Sequence, residues 1–443
     1  MKQITIKNCT IVNEDSLSEK DVFVKNGRIE RIEASIDEEG DFIDAKGLHL
    51  LPGFIDDQVH FREPGLTEKG NIKSESIAAV AGGTTSFMDM PNVIPPTLNL
   101  ELWKEKIQIA EQVSLANYSF YMGSSNTNIE NIKGIDPNQV CGLKVFMGSS
   151  TGNLLVDDQK ALEDIFNYSP VIITTHCEDT PLITENEKKA FEKYGVDIPV
   201  ELHAEIRSRE ACLLSTKKAI ELAQKFNSKL HVLHISTKDE IELFQSGPIE
   251  EKKITAEVCV PHLLFSSEDY ENLGSLIKCN PSIKSKSDKQ ALRQALKDQT
   301  IDYVATDHAP HILSEKGNTY STAPSGMPSV QHSLLAVLEM VHEGDLDLIE
   351  VPRITSHSVA KRFDIKERGF IREGFWADLV LVNMNDTYEV KKEKIFYKCG
   401  WSPFESYTFK SRIVETMVNG ERIYSQGKIL SDTIGKQLEF TRG

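Results

Sequence analysis

The sequence contains no C-x-x-C pair, and its seven cysteines are scattered singly along 443 residues. An odd number of dispersed thiols is typical of a protein that keeps its cysteines reduced, so we interpret them as small core residues. The N-terminal segment has neither an apolar stretch nor a small-residue cleavage site, and no later run approaches the length of a membrane helix. The sequence therefore predicts a cytoplasmic protein with no membrane partner.

An excess of positive charge is also missing from the sequence. Fifty lysines and arginines stand against 67 aspartates and glutamates, which gives a net charge of −17. Such a chain repels phosphate backbones at long range, so we expect no nucleic-acid partner. The composition, 40% hydrophobic and 26% charged, is that of an ordinary globular protein. Its length suits one large barrel beside a smaller domain.

From about residue 53, short apolar runs alternate with longer amphipathic segments. SPVIITTH precedes REACLLSTKKAIELAQKF, and CGLKVFMG precedes DDQKALEDIFNY. This rhythm predicts an α/β fold with a parallel sheet, and about eight such units would close into a (β/α)8 TIM barrel. An open doubly wound sheet is the alternative, but no glycine-rich phosphate loop follows the first strand.

Both chain ends have the sequence pattern of short β-strands. Asn26-Gly27 and Asn419-Gly420 stand between apolar alternating runs, as in two-residue β-hairpins. We therefore predict a small flanking β-sandwich domain formed by both ends of the chain. Its N-terminal part would cover residues 1–52 and its C-terminal part residues 365–443, with the barrel domain over residues 53–364.

Several polar residues lie at or near the ends of predicted barrel strands. His176, His234 and Asp307 each follow an apolar run, and Lys144 lies inside GLKVFMG. A single histidine there is more simply a structural residue, but the carboxyl ends of barrel strands meet at one mouth. Imidazole and carboxylate are usual zinc ligands, so the set predicts a metal site. Lys144 would either pair with an acid or be carbamylated, because burial favours its neutral amine.

Gln58 occupies an unexpected place in the segment IDDQVHFREPG. It stands two residues before His60, where a His-x-His pair is the expected metal-binding arrangement on one strand. Alternate residues of a strand share a face, so Gln58 should still point toward the site. Its amide oxygen binds zinc more weakly than imidazole does. We therefore expect Gln58 to be a weak ligand or a residue that contacts the ligands, and the metal number to be in doubt.

Longer segments carry a resemblance to a known family. They are LPGFIDDQVHFREPG, DMPNVIPPT, HCED, HVLHIS, CNPSIKSKSDKQAL, ATDHAPH and GWSPFESYTFKSRIVETMVNGERIYSQGK. In order and spacing, over essentially the whole chain, they resemble the dihydroorotases of the cyclic amidohydrolase (metallo-dependent hydrolase) superfamily. The resemblance implies a hydrolase that cyclises N-carbamoyl-L-aspartate reversibly to (S)-dihydroorotate in pyrimidine biosynthesis. It also implies zinc, as one or two ions, a homodimer, and a possible association with aspartate transcarbamoylase.

The same resemblance implies roles for particular residues. The metal ligands would be His60, Lys144, His176, His234 and Asp307, with Lys144 N6-carboxylated as in many members, although others carry aspartate there. Asp307 would also be the catalytic proton shuttle between water and the leaving nitrogen. Substrate would be bound by Arg62, Asn92, Asn280 and His311. Taken alone, Arg62 would equally suit a surface salt bridge and Asn92 a turn. We assign His203, His231 and His262 to structure.

Two other functions remain open from the sequence. A hydantoinase or allantoinase would share the ligands, but HFREPG together with MPN favours a substrate that bears a carboxylate. A catalytically weak scaffold subunit is the second alternative, which is suggested by Gln58 in place of an expected ligand histidine. The other ligand positions are retained, and this argues against a scaffold role. The segment HILSEKGNTYSTAPSG, which begins at His311, is predicted to be a loop that either closes over substrate or only connects two elements.

Overall fold

The computed structural model describes residues 3–37, 40–148, 152–432 and 435–442, so the predicted domain ends at residues 1 and 443 lie outside the described residues. The strands are β1 (Gln3–Asn13), β2 (Ser16–Lys25), β3 (Arg28–Glu33), β4 (Asp41–Asp44), β5 (His49–Pro52), β6 (Phe54–Val59), β7 (Thr84–Asp89), β8 (Asn117–Phe120), β9 (Met122–Gly123), β10 (Leu143–Phe146), β11 (Ile173–His176), β12 (Leu230–Val232), β13 (Ile254–Cys259), β14 (Tyr303–Ala305), β15 (Leu379–Asn383), β16 (Tyr388–Glu389), β17 (Thr408–Phe409), β18 (Arg412–Val418), β19 (Glu421–Ser425) and β20 (Lys428–Ile429). The α-helices are α1 (Ile72–Ala81), α2 (Leu100–Val113), α3 (Ile129–Lys133), α4 (Gln159–Tyr168), α5 (Thr180–Tyr194), α6 (His203–Ile206), α7 (Arg209–Phe226), α8 (Lys238–Ile241), α9 (Val260–Leu264), α10 (Tyr270–Leu273), α11 (Lys286–Lys297), α12 (Leu313–Lys316), α13 (Ser333–Glu343) and α14 (Ser358–Arg362).

The central strands form a closed parallel barrel. One sheet has the order β6-β7-β8, and another has the order β14-β13-β12-β11-β10-β9. Only Tyr121 separates β8 from β9, so these two segments occupy one position in the ring. Val59 at the end of β6 pairs in parallel with His308, which follows β14. The bridge closes the ring, as expected for the predicted (β/α)8 barrel.

Amphipathic helices cover the outside of this barrel, and α4 illustrates why they form. The Asp158 carboxylate accepts a hydrogen bond from the amide of Ala161, which caps the start of the helix. Leu162, Ile165 and Phe166 lie three and four positions apart, so they share one face, and all three are buried. Burial of each such side chain stabilises the fold by roughly 1.5–3 kcal/mol.

The two chain ends meet in a flanking sheet. Its strand order is β20-β19-β18-β15-β5-β1-β2-β3, and β4 pairs with β1. Strand β15 pairs antiparallel with β5, with Leu379 opposite Pro52. This agrees with the predicted β unit made from both ends, whereas the exact domain limits stay a prediction.

Both predicted hairpin turns are confirmed. Asn26 and Gly27 have φ angles of 54° and 82°, and Asn419 and Gly420 have φ angles of 51° and 75°. Positive φ at both central residues is the conformation that a two-residue Asn-Gly hairpin adopts. The two turns also pack on each other, because a Cβ atom added to Gly420 would lie 2.6 Å from the Cα atom of Gly27.

The state of the cysteines agrees with the expectation of unpaired core thiols. All seven cysteines are free thiols, and six of them are buried. Among the described residues, no helix combines the length and the apolar character that a crossing of the bilayer requires.

Candidate active site

A cavity of about 620 Å³ opens at the mouth of the barrel. Its wall contains every residue that the sequence pattern and the resemblance singled out for metal or substrate: Gln58, His60, Arg62, Asn92, Lys144, His176, His234, Asn280, Asp307 and His311. The structure therefore brings the whole predicted set together in one place.

The barrel strands explain this convergence. His176 is the last residue of β11, and His60 follows β6 directly. His234 and Asp307 each lie two positions beyond a strand, and their φ angles are 41° and 48°. Arg62 has a φ of 70°. Non-glycine residues rarely adopt such angles, which cost about 1–3 kcal/mol each and are typical of functional sites.

His176 and His234 form the first pair of candidate metal ligands. Nδ1 of His176 lies 3.0 Å from Nε2 of His234, and Nε2 of His176 lies 2.9 Å from Glu178 Oε2. Burial alone would raise the pKa of Glu178, but Arg207, whose Nη1 is 2.6 Å away, and His176 hold it below the usual range. The ionised carboxylate accepts the Nε2 proton of His176 and leaves its Nδ1 free to bind a cation. Burial lowers the pKa of both imidazoles, which favours the neutral, ligating form.

His60 and Asp307 form the second pair. His60 Nδ1 donates a hydrogen bond to Asn92 Oδ1 at 2.8 Å, so its Nε2 carries a lone pair. This nitrogen lies 3.1 Å from Asp307 Oδ1, and two acceptors so close require a proton or a cation between them. Ligand atoms at roughly 2.0–2.2 Å from a tetrahedral zinc ion lie about 3.3–3.6 Å apart, so each pair needs to open by only a few tenths of an ångström. The donor sets of both pairs therefore fit a metal ion.

Lys144 completes the set of candidate ligands. Its side chain is 1% exposed, and its Nζ lies 4.7 Å from the centre of the Phe146 ring. Burial lowers the pKa of Lys144 to about 8, although the charge of Asp307 opposes the shift. A neutral amine forms far more readily there than on an exposed lysine, and that is the form that reacts with carbon dioxide. The residue is therefore suited to become a carboxylated ligand.

Gln58 turns its amide oxygen away from a ligating position. Its Nε2 donates to Asp307 Oδ1 at 3.2 Å, and its Oε1 accepts from the thiol of Cys259 at 3.5 Å. The residue is 1% exposed. In this structure Gln58 contacts the candidate ligand Asp307 through its amide nitrogen, and both expectations for Gln58 stay predictions.

A cationic pocket occupies another part of the cavity. Arg62 is 7% exposed, its Nε donates to Pro310 O at 3.1 Å, and its Nη2 lies 3.1 Å from His311 Nε2. Lys69 Nζ lies 3.1 Å from His311 Nδ1 and 3.0 Å from Glu315 Oε2. Burial, together with the charges of Arg62 and Lys69, lowers the pKa of His311 and keeps its imidazole neutral. Arg62 and Lys69 place two cationic side chains here; Glu315 contacts Lys69, and the charges of Asp307, Asp89 and Glu75 also act on Arg62. The N–H groups of the two cations suit an anionic group of a ligand.

The sequence reasoning missed Lys69, Glu178 and Cys259. Glu178 stands two positions after His176, and Lys69 belongs to the same segment as Arg62, so their spacing was a usable signal. Nothing in the sequence pointed to Cys259, because its contact with Gln58 joins strands β13 and β6, which are far apart in the sequence and separated by β14 in the ring.

Beneath the cavity lies a second group of potential ligands. One ligand atom each from Asp57, His231 and Glu257 lies within 4.8 Å of the others, an arrangement that could hold a metal ion. All three residues are fully buried, and Tyr303 donates to Asp57 Oδ2 at 2.9 Å. Burial and the adjacent Asp57 raise the pKa of Glu257 well above its usual value. His231, which the sequence pattern assigned to structure, belongs to this group.

Comparison with known proteins gives a consistent result. The model of the amidohydrolase family matches residues 49–423. A dihydroorotase from Methanosarcina mazei is 33% identical over 419 residues, which cover 91% of each chain. An allantoinase from Bacillus velezensis is 31% identical over 432 residues, covering 96% of this chain and 94% of the relative.

A solved structure gives the same picture for the fold. The L-hydantoinase (dihydropyrimidinase) from Arthrobacter aurescens superposes with a TM-score of 0.93 at 25% identity, over 99% of this chain and 100% of that one. The predicted barrel with a flanking β-sandwich is thereby confirmed. Because the family match spans most of the sequence, the chain belongs to the amidohydrolase family, and it is one of the cyclic amidohydrolases.

Proposed function

We propose that this cyclic amidohydrolase is a dihydroorotase. It would interconvert N-carbamoyl-L-aspartate and (S)-dihydroorotate in the synthesis of UMP. The observation that carries the proposal is the cationic pocket of Arg62, Lys69 and His311 beside the candidate metal ligands. A substrate with a free carboxylate on its ring needs such a pocket, whereas an uncharged cyclic amide gains nothing from it.

Two amides extend the proposed grip on the substrate. Asn92 uses its oxygen for His60, so its amino group remains available to donate to a carboxylate. Asn280 lines the cavity, and its buried Oδ1 has no hydrogen-bond partner among the described residues. A free acceptor in that position suits a ring N–H group. Arg62, Asn92, Asn280 and His311 thus offer complementary groups to an anionic cyclic amide.

His60, Lys144, His176, His234 and Asp307 would hold the metal, and we propose zinc, as one or two ions, with Lys144 N6-carboxylated. A metal ion held by these residues would supply an acidified water and would polarise the ring carbonyl. In ring opening the C–N bond breaks and a C–O bond forms, and Asp307 moves one proton from the water to the leaving nitrogen. Cyclisation reverses these transfers. Glu178 and Asn92 hold the imidazoles of His176 and His60 in their ligating tautomers.

A hydantoinase-like or allantoinase-like activity is the second candidate. Part of the cavity wall is apolar, with Leu66, Val93, Ile94, Pro96 and Leu154 among its members. Ile94 is 59% exposed. An apolar mouth suits a ring with an apolar substituent better than it suits dihydroorotate, and the hydantoinase likeness points the same way. The allantoinase likeness supports an uncharged ring, but not an apolar substituent.

The decisive experiment compares substrates on metal-analysed protein. Zinc-loaded enzyme is given dihydroorotate, hydantoin and allantoin, and we expect dihydroorotate to have the highest kcat/KM. The Arg62→Met variant should lower kcat/KM for dihydroorotate about 10- to 100-fold, the value of a lost charged hydrogen bond, and leave any hydantoin turnover unchanged.

Arg412→Met is the matched control, because Arg412 is a partly exposed arginine of the flanking sheet, pairs with Asp386 and lines no part of the cavity. It should leave all three rates unchanged. Faster turnover of hydantoin or allantoin than of dihydroorotate would replace the proposed substrate. Protein that binds no metal and hydrolyses none of the three would instead be a scaffold subunit.

A further inference from the structure

Both hydrogen-bonding groups of the Gln58 side chain have partners in the barrel. Its side chain lies between Asp307 on one side and Cys259 on the other, and it is 1% exposed. Both polar ends of the amide are engaged, so the group cannot rotate without loss of a hydrogen bond in a buried site. Cys259 is fully buried as well, so its thiol has a fixed place.

The two oxygens of Asp307 are in different situations. Within the described part of the chain, the two contacts of this carboxylate both end on Oδ1: Gln58 Nε2 donates to it at 3.2 Å, and His60 Nε2 lies 3.1 Å from it. Oδ2 is therefore the oxygen that can meet a water molecule or a ring nitrogen in the cavity. A carboxylate that is held by one oxygen cannot swing out of reach of the reacting atoms.

Only one of these two contacts survives when His60 binds a metal ion. Nδ1 of His60 is taken by Asn92, so Nε2 is the nitrogen that a metal would use. A metal ion on Nε2 would exclude a hydrogen bond from His60 to Asp307, so the amide of Gln58 would be the protein donor to Oδ1 among the described residues.

We propose that Gln58 is a positioning residue, which holds Asp307 Oδ1 so that Oδ2 accepts the proton of water and delivers it to the leaving nitrogen. The proposal rests on Asp307 as proton shuttle, but not on which cyclic amide is hydrolysed. Cys259 keeps the amide of Gln58 in the donating orientation, because its thiol donates to Oε1 at 3.5 Å. Its Sγ also lies 3.8 Å from Glu257 Oε1, which ties the arrangement to the buried group beneath the cavity.

The first test separates positioning from binding. Gln58→Met keeps the length of the side chain and removes both hydrogen-bonding groups. We expect kcat to fall about 10- to 100-fold, the usual cost of a lost outer partner, while KM and zinc content stay at wild-type values. An unchanged kcat would overturn the proposal, and so would a loss of zinc that parallels the loss of rate.

A pair of variants at Cys259 provides the matched control. Cys259→Ser retains a donor for Gln58 Oε1, whereas Cys259→Ala removes it with little change in volume. We expect the serine variant to keep most of the wild-type kcat and the alanine variant to lose more of it, with equal melting temperatures. Equal rates in both variants would contradict the role given to the thiol.

The second test needs no turnover. In a crystal structure of the zinc-loaded protein, Gln58 Nε2 should stay within hydrogen-bond distance of Asp307 Oδ1. A bond from Gln58 Oε1 to a metal ion would overturn the proposal. If wild-type protein opens allantoin or hydantoin instead of dihydroorotate, the proposed function fails, and the Gln58 variants are then measured with that substrate. If it opens none, the crystal structure alone decides.

Discussion

At the scale of single residues, the charge state of Lys144 determines whether this side chain can become a metal ligand. An ammonium in its position would sit in the cavity wall with 1% of its surface exposed. Burial lowers its pKa to about 8, so near neutral pH a useful fraction is the neutral amine. Carboxylation by carbon dioxide converts that amine into an anion, which matches the imidazoles and carboxylate around the cavity as a metal ligand.

Replacement of Lys144 should therefore remove metal as well as activity. We expect Lys144→Met to bind less zinc than the wild type and to lose at least about 100-fold in kcat/KM. Native mass spectrometry of the wild type should show one added carbon dioxide per chain, which the variant lacks. Lys133→Met, at an exposed lysine of α3, serves as control. A wild-type zinc content in Lys144→Met would refute the ligand role.

At Gln58, a substitution can add a metal ligand instead of removing one. A histidine in its place would restore the His-x-His arrangement on β6 and offer imidazole nitrogen where the amide now bonds to Asp307. We expect the site formed by Lys144, His176 and His234 to bind metal more tightly than the site formed by His60, Lys144 and Asp307. Gln58→His should then raise the zinc content per chain, measured by elemental analysis after dialysis against limiting chelator. An unchanged zinc content would contradict this difference between the two sites.

The sequence predicted which side chains line the cavity, but not the partners that orient them. His176 and His60 could be placed because barrel strands end at one mouth. The contact of Glu178 with Arg207 joins residues 29 positions apart, and the contact of Gln58 with Cys259 joins residues 201 apart. Such pairs depend on barrel geometry and loop conformation. A strand that is buried on both faces has a nearly continuous apolar sequence, so its residues do not show which partner each side chain meets.

At the scale of elements, Asp288 joins the starts of three helices. Its carboxylate accepts from the amide and hydroxyl of Ser285 at the start of α11 and from the backbone amide of Lys238 at the start of α8. It also accepts two bonds of 2.6 Å from Arg209, the first residue of α7. Burial alone would raise the pKa of Asp288, but these donors, Arg209 foremost, outweigh burial and lower it.

The loss of that charge should destabilise the barrel in a pH-dependent way. A carboxylate with a lowered pKa stabilises the fold above its unfolded value of about 3.9, and this contribution disappears as the pH falls through the lower folded value. We expect Asp288→Asn to reduce the free energy of unfolding by about 2–3 kcal/mol at pH 7, measured in urea. The difference in the free energy of unfolding between the wild type and Asp288→Asn should become smaller below pH 4.

Asp298→Asn, at the exposed far end of α11, is the control and should change stability by less than about 0.5 kcal/mol. A gap between wild type and Asp288→Asn that stays constant from pH 7 to acidic pH would show that the charge of Asp288 is not what holds the three helices.

At the scale of the whole molecule, the two Asn-Gly hairpins tie the chain ends together. Gly27 O accepts from the amide of Ala377, and the amide of Gly420 donates to Ala377 O. Each turn could be predicted from its dipeptide, because positive φ at both positions is a local requirement. Their mutual contact could not be predicted, since nothing local to either turn specifies the other. The proposed homodimer and any association with aspartate transcarbamoylase likewise stay predictions.

Two alanine substitutions separate the energetic cost of a positive φ from the cost of a collision between the two turns. Gly427→Ala changes a glycine with φ of 88° and no atom within 4 Å of the new methyl group, so it should cost about 1–2 kcal/mol from backbone conformation alone. Gly420→Ala adds a collision with the Cα atom of Gly27 and should cost more, measured by urea unfolding, with kcat of the folded enzyme unchanged. Equal losses in the free energy of unfolding for the two variants would show that the two turns can move apart with little loss of stability.

The pairing of β5 with β15 also sets an order of events during synthesis. Strands β1 to β5 leave the ribosome before the barrel strands, yet one edge of β5 has its partner at Leu379, after the whole barrel. Until that segment emerges, the backbone groups along this edge are open to any other extended chain. A nascent chain that stops short of β15 should therefore depend on chaperones, while the same chain extended through β19 should not.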